Sequence, residues 1–340
     1  MIDFRYHVVS IIAVFLALTI GLVIGATIVN QDAAKTLRAQ ITSANNDKAK
    51  LQQSGRSLAA TNTQLGTYID DTKNALVANQ LTGDTVVVVR LPASNDGADK
   101  DTLALVKQAG ATLAADVTVN PTFTDPSSTQ QIADLLHNYT PAGQAVPGTG
   151  AAQAMNLLAE ALTTAGPSSG PSGAPGAGPA PTPTATATAT TSAGAATDDW
   201  AIRTIQAYAD EGIITVNTMP TATTAKPDIA LVAAPAAASE AQNPVYLALA
   251  AALRTGGAGP VVAGWPDSAG AGGLIAAVMK NSPAARTVST VDDVGQTIGQ
   301  VAVVFALYQA VAAPSANAGH YGTTGSTDGP LPKMPVLAAN

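Results

Sequence analysis

Apolar and polar positions follow several rhythms along this chain of 340 residues. From Val8 to Val29 the run VVSIIAVFLALTIGLVIGATIV carries no charge over twenty-two residues. At about 1.5 Å rise per residue, such a run crosses a hydrocarbon core of about 30 Å as one helix. It predicts a transmembrane helix over 8–29, with residues 1–7 as a cytoplasmic tail. A cleaved signal would have an apolar region of about 7–15 residues ending in a small-x-small site. This run is longer and no A-x-A closes it, so an uncleaved anchor is the better reading. Ala13, Ala17, Gly21 and Gly25 fall every fourth residue and form a small-residue stripe, a helix-helix interface candidate. Glycine and alanine are also common in membrane helices for general reasons.

Over 30–81 the chain turns polar, loses proline and takes up a seven-residue period. Leu37, Ala44, Leu51, Leu58 and Leu65 form one series; Ile41, Ile69 and Leu76 belong to a second, whose middle positions are Lys48, Gly55 and Asn62. Two series offset by four and three residues make a coiled-coil seam. The reading is a parallel coiled-coil stalk in a homodimer joined through anchor and stalk, in which a buried Asn62 can fix register. A lone solvated helix is the alternative.

After Gly83 the rhythm becomes strand alternating with helix. Thr85–Leu91 is a continuous β-branched run of the kind buried on both faces of a parallel sheet. Helical spacing follows over 101–109, 127–138, 150–165, 198–211, 244–254, 268–280 and 294–311, and extended stretches over 111–119, 213–216, 228–234, 260–264 and 286–291. This predicts an α/β fold over 83–313, Rossmann-like in three layers with a mostly parallel sheet. Residues 166–197, including PTPTATATATT, hold no charge and no large apolar side chain, and read as a disordered insertion. Residues 314–340 read as a flexible tail.

Composition narrows the chemistry. The net charge of −7 and pI near 4.8 argue against nucleic acid as a partner. Cysteine is absent, which removes disulfides, thiolate nucleophiles and cysteine metal sites. Arg5 on one side of the anchor faces Lys35 and Arg38 on the other, so charge sets orientation weakly. The short amino-terminal tail favours N-terminus inside and the domain outside the cytoplasm.

Neither G-x-G-x-x-G nor the phosphate-loop motif is present. Gly270, Gly272 and Gly273 before a helix form an anion cradle or, preferably, a plain βα turn. The histidines, His7, His137 and His320, stand far apart in sequence, and no Ser-His-Asp set emerges, so no catalytic residue is assigned and the chain reads as non-enzymatic. Asp292 and Asp293, in STVDDVG at a strand end, are a possible site for a metal or an acid pair; the preferred reading is that they cap the following helix together with Ser289 or Thr290. Met1, Met155, Met219, Met279 and Met334 are scattered singly, without a copper-chaperone pattern. No resident cofactor is assigned.

Two stretches carry a resemblance. FRYHVVSIIAVFLALTIGLVIG at the start, and VSTVDDVGQTIGQVAVVFAL followed by HYGTTG near the end, resemble the actinobacterial MctB-type family named as copper transporters. The resemblance implies copper efflux or homeostasis, with copper as the transported ion and a channel role in the outer envelope. It also implies a membrane-bound envelope partner tied to growth or division. No metal-ligand motif transfers to numbered positions. Beside copper transport stands a second function: a dimeric, non-enzymatic interaction protein of the envelope. An envelope hydrolase is a third and weaker one.

Overall fold

The structure is a computed structural model, and it describes residues 4–164, 193–221, 224–236, 240–313, 317–324 and 328–332. The chain divides into two compact units, Met1–Leu65 and Gly66–Asn340. Helix α1 runs over Phe4–Val77. Within it, Arg5–Gly25 has a mean hydropathy of 2.8 and is unburied, long and apolar enough to cross a membrane. The last turns of α1, from Gly66, belong to the second unit. There Val77 is fully buried, Leu76 packs against the core, and Asp70 accepts a 2.6 Å hydrogen bond from Thr297 Oγ1.

The second unit is an α/β domain. Its elements are β1 (Thr85–Arg90), α2 (Asp96–Gln108), β2 (Thr112–Val119), α3 (Thr129–Tyr139), α4 (Gly150–Thr164), α5 (Ala193–Asp210), β3 (Ile214–Thr218), β4 (Ile229–Ala233), α6 (Asn243–Thr255), β5 (Gly259–Ala263), α7 (Pro266–Ala269), α8 (Leu274–Lys280), α9 (Ser282–Thr287), β6 (Ser289–Val291), α10 (Thr297–Ala312) and β7 (His320–Tyr321). The seven strands lie in the order β3-β2-β1-β4-β5-β6-β7. All neighbours pair in parallel except β2 with β3.

Successive residues of a strand point to opposite faces, so a strand apolar at every position needs cover on both sides. In β1, Val87 and Val89 enter one core with residues of α3, α4, α5, α6 and α8. Val86 and Val88 enter the other with α2, α10 and the end of α1. β4 divides in the same way: Ala230 and Val232 face the first core, Ile229 and Leu231 the second. This makes three layers. Strand β3 is the exception, because Ile214 is buried while Thr215 and Asn217 are not, an alternation suited to an antiparallel edge.

Helix α10 is buried without a break from Gly299 to Leu307. A helix that is apolar all round has no solvent face to spare and belongs at the centre of a layer. Its first turn approaches the β6 loop closely: a Cβ on Gly299 would run into the Asp293 carbonyl.

The elements correct several sequence boundaries. The helix expected over 268–280 divides into α7 and α8, because Gly270–Gly273 interrupt it, with Gly272 at φ +80°. The strand expected over 286–291 shortens to β6, since Pro283 opens the short helix α9. The helix expected over 198–211 begins earlier, as α5 over Ala193–Asp210. Of the insertion expected over 166–197, residues up to 192 lie outside the described residues. The reading of 314–340 as a flexible tail is corrected in its described part, where β7 pairs with β6.

Phe305, 1% exposed in α10, tests this arrangement. Phe305→Ala is expected to cost about 3–5 kcal/mol and to lower the melting temperature by roughly 6–20 °C. Calorimetry showing a loss below about 1 kcal/mol would mean that α10 does not hold this core together.

Candidate functional site

The sequence places STVDDVG where β6 leaves the sheet, and there Asp292 and Asp293 are 1% and 3% exposed. A buried carboxylate needs hydrogen-bond donors. Asp292 has two: the Thr323 amide donates to Oδ1 at 2.7 Å and the Thr324 amide to Oδ2 at 3.1 Å. The Asp292 amide in turn donates to the Tyr321 carbonyl at 3.1 Å. Gly322 lies between these contacts at φ +137°, and any Cβ there would collide with the Asp292 carboxylate. Glycine is required at 322 on both counts.

The rest of HYGTTG completes a clasp. The His320 ring is held between Thr290 Oγ1, 2.9 Å from Nδ1, and the Ala285 carbonyl, 3.0 Å from Nε2. Tyr321 OH donates to Gln309 Oε1 of α10 at 2.7 Å. The His320 amide donates to Asp328 Oδ2 at 2.9 Å. The preferred sequence reading, that the aspartates and Thr290 cap the following helix, is therefore corrected. Gln296 stands at the N-cap of α10 without a side-chain cap bond, and Thr290 and Asp292 are turned towards the clasp. Sequence reasoning quoted HYGTTG but missed its role; the signal was glycine beside two threonines whose amides were free to meet a buried acid.

Asp293 differs from its neighbour. Its Oδ2 is buried without a hydrogen-bond partner. Burial, and then the charge of Asp292, raise its pKa to about 6. Burial raises Asp292 as well, against the two amides that stabilise its charge. Other unpartnered buried atoms share this C-terminal edge of the sheet: Arg90 Nε, Asp99 Oδ2, Asn243 Oδ1 and Trp265 Nε1. Arg90 at the end of β1 pairs with Asp116 of β2 at 2.9 Å, both nearly buried. Asp99, near that pair, is raised to about 6 by burial, opposed by Ser94 and Arg90. Ligands of open α/β sheets bind along this edge. The cavity between Asp99, Thr102 and Val294 holds only about 10 Å³, close to the volume of one water.

The remaining candidates are dispersed. The Gly273 amide donates to the Gly270 carbonyl, and the Gly272 carbonyl accepts from Asn243, so Gly270, Gly272 and Gly273 form a self-satisfied βα turn. Met155 is buried in the first core, with Met219 and Met279 packed against it. Among the described residues no group of three or more His, Cys, Asp or Glu converges as a metal site. In α1, Ala13, Ala17, Gly21 and Gly25 are exposed, with open space where a Cβ on either glycine would stand. Leu37, Leu51, Leu58 and Leu65 are also exposed, at 55–74%.

Two substitutions separate the aspartates. Asp292→Asn leaves one amide facing an NH₂ group and is expected to cost about 1–3 kcal/mol. Asp293→Asn removes a buried unpaired charge. The folded state holds the Asp293 proton more tightly than the unfolded chain, so wild-type stability rises as pH falls from above 6 towards 4. Asp293→Asn should therefore raise the melting temperature at pH 8, with the gain shrinking at pH 5. A gain independent of pH would show that Asp293 is not the titrating group.

Comparison with known proteins extends the match beyond the clasp. A family described as "Copper transport outer membrane protein, MctB" matches residues 1–332. "Copper transporter MctB" of Mycobacterium tuberculosis (strain ATCC 25618 / H37Rv) is 25% identical over 330 residues, covering 95% of this chain and 96% of the relative. Its counterpart in Mycobacterium bovis gives the same values. The Mycobacterium leprae protein of that name is 26% identical over 144 residues, 42% of this chain and 45% of the relative. Anchor, long helix and α/β domain are thus matched together, and the chain belongs to the MctB family.

Proposed function

We propose that this chain is a membrane-anchored envelope protein that supports copper efflux without being an enzyme. The family match over residues 1–332 carries the reading, because it takes in the anchor and the domain as one unit. The apolar helix over Arg5–Gly25 supports a single span; in this reading the amino terminus is inside and the domain outside the cytoplasm. The strand order β3-β2-β1-β4-β5-β6 supports a Rossmann-like description of the domain. Copper in this reading is cargo, not a resident cofactor, and the partners are the membrane and other envelope proteins. Nucleic acid is not among them, given the net charge of −7.

The alternative, a scaffold of an envelope growth or division complex, is favoured by one observation. Two of the buried acids at the sheet edge are committed to the fold, Asp292 to the clasp and Asp116 to Arg90. Deleting the gene in its native host separates the two. The copper reading expects growth arrest at lower copper and more cell-associated copper, both restored by the full chain but not by one lacking residues 1–25. Unchanged copper tolerance with altered cell shape or separation would replace it with the scaffold. Carbonate extraction and protease accessibility in spheroplasts test the topology: the chain should stay with membranes and its domain should be cleaved from outside.

A further inference from the structure

From Thr36 to Leu65 every residue of α1 is exposed, and the segment includes Gly55, Asn45, Asn46, Asn62 and several serines and threonines, all weak helix formers. A helix of this composition, exposed along that length, is marginal in water. What covers it is indicated by its own pattern. Leu37, Ala44, Leu51, Leu58 and Leu65 take the d positions of a heptad, and Ile41, Lys48, Gly55 and Asn62 take the a positions. Leucine at d with a β-branched a residue, and an Asn or Lys at a, is the pattern of a parallel two-stranded coiled coil. The large apolar members are 52–74% exposed. The pattern then meets the domain: Ile69 and Leu76, the next a positions of this size, are partly buried, and Leu76 packs against the second core. The free seam therefore ends at Leu65, where the first compact unit ends.

We infer that residues 37–65 pair with the same residues of a second copy, parallel and in register. The parallel sense rests on the membrane-anchored reading, since two chains inserted the same way carry their helices in the same direction. Charge fits this register. An a side chain enters a hole bordered by the partner's preceding g position. That places Lys48 beside Asp47 of the second copy, and the reverse. The other positions flanking the seam, apart from Arg38, are uncharged, so identical copies do not repel one another.

The absence of cysteine gives the test a clean background. Single substitutions Leu51→Cys, Leu58→Cys and, on the outer face, Gln53→Cys are introduced into the full chain in native membranes and oxidised mildly. Because a parallel in-register pair brings each d residue against itself, the two seam cysteines should give covalent dimer at least about tenfold more than Gln53→Cys. The uncrosslinked chain in detergent should have the mass of two copies. Asp47→Lys should reduce the Leu58→Cys dimer, and Asp47→Lys with Lys48→Asp should restore it. Equal cross-linking at Gln53 would overturn the seam. A mass of one copy, or of three or four, would overturn the two-stranded assembly. Cross-links confined to mixtures of Leu37→Cys and Leu65→Cys chains would overturn the parallel sense. Carbonate extraction of the same membranes reports separately on the anchor, so loss of anchoring is not confused with loss of pairing.

Discussion

A central strand without a polar face is the constraint from which the domain follows. β1 offers valine to both sides at 86, 87, 88 and 89, and neither side can be left in water. Each fully buried valine contributes about 1.5–3 kcal/mol relative to exposure, so β1 alone fixes the need for two helical layers. β2 lies on one flank and β4 on the other, and the sheet grows outwards from this pair to an antiparallel edge at β3 and a short parallel edge at β7. Helix α10 meets the demand on the second face because it too lacks a polar side. A β1 with alternating polar residues would tolerate a single layer, and α10 would then have no place to go.

Much of this was legible because the periods are strong. The β-branched run at 85–91 reads as a buried strand and the stretch 228–234 as a strand, and they are β1 and β4; the apolar run 294–311 reads as a helix and is α10 from Thr297. Where the reading failed, long-range partners outweighed local chemistry. Ser-Thr-Val-Asp-Asp before a helix resembles a capping sequence, yet Asp292 and Thr290 are engaged by residues about 30 positions later. No local pattern reveals that. The tail reads as flexible for a similar reason: HYGTTG is short and interrupted by glycine, and its two-residue strand is held by pairing with β6 and by the Asp292 acceptor. The split of α7 from α8 was legible in principle, since three glycines within four residues seldom continue a helix.

The C-terminal edge of the sheet shows what that clasp costs. Asp292 is buried with two amides for company, while Asp293 Oδ2 beside it has no hydrogen-bond partner. Burial, and then the neighbouring charge of Asp292, raises Asp293 to about 6. The same edge carries Arg90 with Asp116, and Asp99 at a raised pKa beside a cavity with room for about one water. These buried polar groups lie where α/β sheets hold ligands, but Asp292 is already engaged by the protein's own backbone. The edge is thus a place where proton uptake changes stability, and the clasp is the element most exposed to that change.

The apolar span bears on copper differently. The run over 8–29 offers an ion no charge and only the hydroxyls of Ser10, Thr19 and Thr27, and the backbone donors and acceptors of a membrane helix are satisfied within it. A pair of such helices, as proposed for the two-stranded assembly, would leave no room between them for an aqueous path. Stripes of small residues such as Ala13, Ala17, Gly21 and Gly25 bring helices closer together, which is the opposite of opening a channel. Oligomer order and mechanism are therefore linked in this protein. A two-stranded assembly is consistent with copper efflux only if the ion passes through another component, and the part left to this chain is to hold an α/β domain beside it.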